Sequence, residues 1–93
     1  MVHQSFLVED AILYGLNEAV ILNHIRCSLD KGKARVQDGL YWVDIGYTEM
    51  QHFFPYLSHR EVDYSLHRLV CMKAIERKNE IWFTIPSEFL IGG

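Results

Sequence analysis

The chain has 93 residues, of which 49% are hydrophobic and 23% are charged. This length and composition are those of one folded domain, so we expect a single domain over residues 1–93. Twelve acidic side chains against nine basic ones give a net charge of −3, which excludes proteins that coat DNA or anionic membranes by bulk positive charge. The sequence contains no apolar run of the ~20 residues that cross a bilayer. Its first ten residues lack the pattern of a signal peptide, so we expect a cytoplasmic protein without a membrane partner.

The N-terminal third is predicted to form two helices. An apolar segment predicts a short helix over residues 8–14, and Gly15 is suited to end it. Apolar residues then recur at helical spacing over residues 17–29. Asn17 is the predicted cap of this second helix, and Glu18 falls in its first turn, where a carboxylate faces the helix dipole.

A short strand and a third helix are predicted next. Aromatic and β-branched residues between turn signals favour a strand over residues 40–43, and Val36 is placed at the start of a partner strand. The third helix covers residues 47–54. Thr48 and Gln51 match the spacing of a capping box at its start.

The C-terminal third is predicted as a long helix followed by a β-hairpin. Ser58 and Glu61 form a second capping box, which begins a helix that extends to residue 72. Strands over residues 74–77 and 80–85 flank a turn at 78–79. One further helical turn is predicted over residues 87–90.

The predicted core combines an apolar stripe on the long helix with aromatic side chains from the rest of the chain. The two cysteines lie inside apolar helical patterns without a CxxC spacing. This indicates buried or half-buried reduced thiols, although a structural disulfide stays open. The stripe residues predicted as core are Val62, Leu66, Leu69 and Val70, and Met72 continues the apolar pattern. The aromatic residues, predicted as core or half-buried, are Trp42, Phe53, Phe54, Trp82 and Phe83, and the cysteines are Cys27 and Cys71.

The order of these elements is typical of a winged helix-turn-helix. The predicted fold is therefore α+β and mainly α. It has a three-helix core, a short strand after the second helix and a C-terminal β-hairpin as the wing. Residues 55–58 form the turn between the two capped helices, which is the usual length of that turn in the motif.

Four sequence blocks carry a resemblance to a known family. They are GLNEAVIL (15–22), DGLYWV (38–43), YTEMQHFFP (47–55) and LSHREV with LHRL (57–69). In this order they resemble the winged-helix domains at the N-terminus of phage and plasmid replication proteins, of the replisome-organiser and DnaD-like kind. About two-thirds of the chain is covered. The resemblance implies an origin-binding domain that works in a bacterial host cell, with a replisome protein as a possible partner.

The predicted function is sequence-specific binding of double-stranded DNA. In a helix-turn-helix the second helix enters the major groove, and phosphate contacts come from its end, the wing and nearby loops. Arg60 is the best candidate for a bidentate contact to guanine, and Asp63 either accepts from cytosine or orients Arg60. The full set of candidate DNA-binding residues is Ser58, His59, Arg60, Asp63, Tyr64, His67, Arg68, Lys73, Arg77, Lys78, Lys31, Lys33 and Arg35.

Residues 58–80 hold five basic and four acidic side chains, so a single copy would make few phosphate contacts. We therefore expect a homodimer on two half-sites, with the apolar N-terminal segment as its interface.

Other classes of function find less support in the sequence than DNA binding does. The histidines are scattered without metal-ligand spacing, and no nucleophile, phosphate-binding loop or acid pair is recognisable. We expect no enzyme, no metal and no cofactor. Glu61 and Asp63 on the proposed reading face favour an alternative, a protein–protein interaction module of the same fold, such as a small phage-type inhibitor. A transcriptional regulator also fits these residues.

Overall fold

The structure is a computed structural model that describes residues 7–31, 34–37 and 39–86. In this part of the chain it shows a small, mainly helical α+β fold with four helices and a four-stranded antiparallel sheet. The predicted helical turn over residues 87–90 lies outside the described residues. The helices are α1 (Val8–Tyr14), α2 (Leu16–Asp30), α3 (Tyr47–Phe53) and α4 (His59–Cys71), and the strands are β1 (Arg35–Gln37), β2 (Leu40–Asp44), β3 (Glu76–Lys78) and β4 (Trp82–Thr84).

The first two helices meet at Gly15. Its φ of +108° lies in a region that L side chains rarely adopt, and its amide donates to the carbonyl of Ala11 to end α1. The same residue is the N-cap of α2, so the predicted cap at Asn17 is wrong. A single glycine leaves no room for a separate capping residue between the two helices.

The third helix begins without the predicted capping box. Gly46 is its N-cap and makes no side-chain bond. The Gln51 amide instead donates to the carbonyl of Leu57 over 3.0 Å, which ties α3 to the turn before α4. The second predicted box is confirmed: the Ser58 hydroxyl accepts from the Glu61 amide at 3.1 Å, and the Glu61 carboxylate accepts from the Ser58 amide at 2.9 Å.

The sheet has the strand order β1-β2-β4-β3. The hairpin between β1 and β2 confirms the partner strand predicted near Val36. The later hairpin is shifted from its predicted position, because the Ala74 amide still donates to the carbonyl of Leu69 at the end of α4. Strand β3 therefore starts at Glu76, and the turn falls at Asn79 and Glu80, both with positive φ.

The core lies between the helices and one face of the sheet. Three residues of the predicted apolar stripe are buried, while Val70 is partly buried and Met72, just after the last turn of α4, is 41% exposed. Met72 therefore does not continue the apolar stripe as the sequence pattern indicated, whereas the four residues predicted as core are buried or partly buried. Phe53 and Trp82 are half-buried. The buried members of the predicted set are Val62, Leu66, Leu69, Trp42, Phe54 and Phe83.

Both cysteines are free and exposed, which corrects the expectation of buried or half-buried thiols. Cys71 follows His67 by one turn on the outward side of α4, and its Sγ lies 3.5 Å from His67 Nε2. Cys27 likewise lies on the exposed side of α2. The apolar neighbours that suggested burial lie on the other sides of these helices. Within the ranges that the structure describes, no helix is long and apolar enough to cross a membrane.

Candidate nucleic-acid interface

Helix α4 is held at both its start and its inner face. The capping box fixes its first turn, and Val62, Leu66 and Leu69 are buried in the core. The residues on the opposite side of the helix therefore point outward. A line of exposed side chains at helical spacing results, which we call the α4 stripe: Arg60, Tyr64, His67 and Cys71.

Two members of the α4 stripe make no polar contact with the part of the chain that the structure describes. Tyr64 is 62% exposed, and Arg60 is exposed. Among the described residues neither side chain has a hydrogen bond or ion pair. With respect to residues 7–31, 34–37 and 39–86, the five donors of the Arg60 guanidinium are available for an external acceptor.

The carboxylate of Asp63 is hydrogen-bonded to other residues of the protein. Its Oδ1 accepts from the Tyr47 hydroxyl at 3.1 Å and from Arg77 Nη2 at 3.0 Å. Arg77 first, and then Tyr47, hold the pKa of the Asp63 carboxyl below its usual range. Burial and the Asp63 hydrogen bond raise the pKa of Tyr47. In the sequence interpretation, Asp63 could orient Arg60. In the structure, the Asp63 carboxylate instead joins α4 to Tyr47 of α3 and Arg77 of β3.

Arg68 is also paired internally. Its Nη1 lies 3.0 Å from Glu18 Oε1, and the Ser65 hydroxyl donates to the second Glu18 oxygen over 2.5 Å. Glu18 is only 5% exposed, so its carboxylate is satisfied by α4. The sequence prediction places Glu18 at the helix dipole. Glu18 does lie in the first turn of α2, and its carboxylate also bonds α2 to α4.

The basic residues of the β3–β4 hairpin make cation–π contacts with aromatic rings. Arg77 donates to the carbonyl of Glu80 at 2.9 Å and lies 5.6 Å from the Phe83 ring centroid. Lys78 Nζ lies 4.7 Å from the centroid of Trp42. Such cation–π contacts still leave part of the charged group open to solvent.

The other predicted cations lie in different settings. Lys73 is exposed just beyond α4, with a φ of +62°. Arg35 on β1 lies 5.8 Å from the Trp82 ring centroid, and Lys31 is exposed at the end of α2. Lys33 lies outside the described residues. The predicted set is therefore not one continuous basic strip.

His59 lies at the start of α4, beside α3. Its ring centroid is 3.7 Å from that of Tyr47, and its charge contributes to the lowered pKa of Asp63. Ser58 is the N-cap and uses its hydroxyl in the capping box. These two residues support the start of the helix, while Arg60 and Tyr64 face outward.

An open cavity of about 470 Å³ adjoins the α4 stripe on the side of α2. Arg60 and Tyr64 of the α4 stripe and the Glu18–Arg68 pair all line it. Both aromatic and cationic groups are thus presented around one concavity. The lining residues are Asn17, Glu18, Arg60, Glu61, Tyr64, Ser65 and Arg68.

A second cavity, of about 230 Å³, lies between α2 and α3 beside His24. His24 Nε2 is 3.0 Å from Glu49 Oε2, and its ring centroid is 4.3 Å from that of Phe53. Burial lowers the pKa of His24, although the Glu49 contact opposes this effect. Lys31 and Asp44 also line the cavity. No group of three or more potential metal ligands was found in the described part of the chain.

Sequence reasoning missed the residues that connect elements. The sequence separation between Glu18 and Arg68 is 50 residues, and between His24 and Glu49 it is 25 residues. Glu18 had one available signal, an acid among the apolar residues of the second helix. Comparison of the chain with protein-family models, curated proteins and solved structures found no match.

Proposed function

We propose that this chain is a winged-helix domain that binds duplex DNA through the α4 stripe. In this proposal α3 and α4 form the helix-turn-helix, and the β3–β4 hairpin is the wing. The hairpin follows α4 directly, and its strand β4 lies between β3 and β2. The origin-binding role in phage or plasmid replication rests on the resemblance of the four sequence blocks.

The observation that carries the proposal is the separation of charges on α4. The two acids that argue against DNA binding are both used within the protein, Glu61 in the capping box and Asp63 with Arg77. The outward line keeps Arg60 unpaired among the described residues, near the helix N-terminus. That is the part of a recognition helix that contacts base edges.

The internal ion pairs also set the strength of binding. Arg68 and Arg77 are each held by a carboxylate, so fewer cations are available for phosphate than the sequence suggests. Each neutralised phosphate contributes about 0.9 to the slope of log K against log salt concentration. With Lys73 at the end of α4 and Lys78 on the wing as the principal phosphate contacts, we expect a slope of about −2 per copy.

The test begins with selection of duplexes bound by the protein from a randomised library. Fluorescence anisotropy on the selected duplex and on a scrambled one then measures affinity across a salt series. We expect Arg60→Ala to weaken binding to the selected duplex roughly five- to a hundredfold. Arg60→Lys is the matched variant: it keeps the charge and loses the bidentate geometry, so it should lower sequence preference more than salt dependence.

Lys73→Ala provides the complementary control. As a phosphate contact it should weaken binding to both duplexes alike and reduce the salt slope by about 1. A folded protein that enriches no duplex and binds neither one at low salt would overturn the proposal. So would an Arg60→Ala variant with unchanged affinity and preference.

A second candidate function is the binding of a protein partner at the same surface. The basic residues around α4 are interspersed with acids, and Tyr64 and Arg60 stand exposed beside a cavity of about 470 Å³. Tyrosine and arginine are enriched among residues that dominate protein interfaces. If the duplex selection fails, Tyr64→Ala should abolish capture of a defined partner that the wild-type chain retains.

A further inference from the structure

Helix α1 presents an apolar surface that the described part of the fold leaves open. We call this surface the α1 face. It has one residue before α1, three residues in the helix and the first residue of α2. Their exposed fractions are 48% for Leu7, 65% for Val8, 79% for Ile12, 66% for Leu13 and 59% for Leu16.

The inner side of α1 shows why this surface stays outside. Asp10 is buried, and its carboxylate accepts from Arg26 of α2 over 3.3 Å. Tyr14 packs against the core. Because these two residues turn inward toward α2, helical geometry turns Ile12 and Leu13 away from it.

From these observations we infer that the α1 face is the contact surface between two copies of this chain. The interaction does not require DNA, and it extends the proposed function by supplying a second α4 stripe. Two further properties of the surface favour a second copy over a charged partner, namely its charge and its area.

The charge on the α1 face is nearly zero. Residues 7–16 contain no lysine or arginine, and of their two acids Asp10 is paired with Arg26 inside the fold. Only Glu9 is left as an exposed acid in this segment. A surface without strong charge needs no complementary potential, so it can pack on an identical copy about a twofold axis.

The area matches the requirement of a small dimer. The five exposed side chains present roughly 600 Å² of apolar surface, which is the upper end of the largest patch on a typical monomer. Two copies would then bury at most about 1,200 Å², which is at the lower limit for specific stable interfaces. We therefore expect a dimer that dissociates at micromolar concentrations.

The experiment is a concentration series of the full chain, without DNA, by sedimentation equilibrium. Wild type should shift from monomer to dimer as its concentration rises. Ile12→Glu introduces a charge at the most exposed position of the face, so it should weaken the dimer at least tenfold. Leu13→Glu, on the same turn, should act in the same direction.

Val36→Glu is the matched control, because Val36 is 63% exposed on β1 and lies outside the α1 face. It should dimerise like wild type, and circular dichroism should show that all four proteins are folded. A monomeric wild type up to about 0.5 mM, well above micromolar dissociation constants, overturns the inference. An Ile12→Glu variant that dimerises like wild type does the same.

This result is independent of the DNA experiment. Failure of dimerisation with intact duplex binding would refute only the α1 contact. Dimerisation without duplex binding would leave the contact in place and refute the proposed function.

Discussion

Gly15 alone connects α1 to α2, as the C-cap of the first helix and the N-cap of the second. Its φ is +108°, and a Cβ added there would collide with the Glu18 carboxylate. We expect Gly15→Ala to reduce the free energy of unfolding by about 1–3 kcal/mol, from backbone strain and from displacement of Glu18 away from Ser65 and Arg68. Urea unfolding monitored by circular dichroism measures the change.

Gly46→Ala is the natural comparison for that variant. Gly46 has a φ of −83°, and a Cβ added there would meet no neighbouring atom within 4 Å. Alanine should therefore fit, at a cost below about 1 kcal/mol that reflects only its poorer capping of α3. Equal losses at the two glycines would contradict the role assigned to Gly15.

The capping box at the start of α4 contributes to the stability of the whole helix. Ser58→Ala removes one half of the capping box and should reduce the free energy of unfolding by about 1 kcal/mol. Thr48→Ala is the matched variant, since Thr48 has the same sequence pattern but makes no cap bond in α3. Its effect should stay within about 0.5 kcal/mol. Thermal or urea unfolding of both variants decides whether the two sites differ.

The elements were predictable where their signals are local. Three signals act within a few residues, and each correctly predicted a helix or its end. They are Gly15, the Ser58–Glu61 capping box and the buried apolar residues of α4. The Thr48–Gln51 pattern failed because α3 begins earlier, with Gly46 as its N-cap, so Thr48 lies inside the helix. The Gln51 side chain bonds instead to Leu57, beyond the end of α3. Local patterns cannot reveal that competition.

In the candidate site, too, local features were predictable from the sequence and long-range contacts were not. The outward direction of Arg60 and Tyr64 follows from the helical period and was expected. The pairing of Arg68 with Glu18 depends on two helices that lie far apart in sequence. The sequence therefore overestimated the number of cations available to DNA.

At the scale of the whole molecule, His24 links α2 to α3 and makes stability depend on pH. Burial lowers the pKa of His24 in the folded chain, whereas in the unfolded chain it titrates near 6.5. As pH falls from about 7.5 to about 5.5, the unfolded chain therefore binds a proton that the folded chain resists. The free energy of unfolding should fall over this interval.

His24→Gln should reduce that fall, because glutamine keeps a polar group near Glu49 but does not titrate. The measurement is the free energy of unfolding in urea at the two ends of that pH interval. His52→Gln is the matched variant, since His52 is an exposed histidine on neighbouring α3, and it should keep the wild-type fall.

The carboxylates of Glu61 and Asp63, with their lowered pKa values, gain protons only well below this interval and do not contribute. An equal fall in wild type and His24→Gln would show that the α2–α3 contact is not the source of the pH dependence.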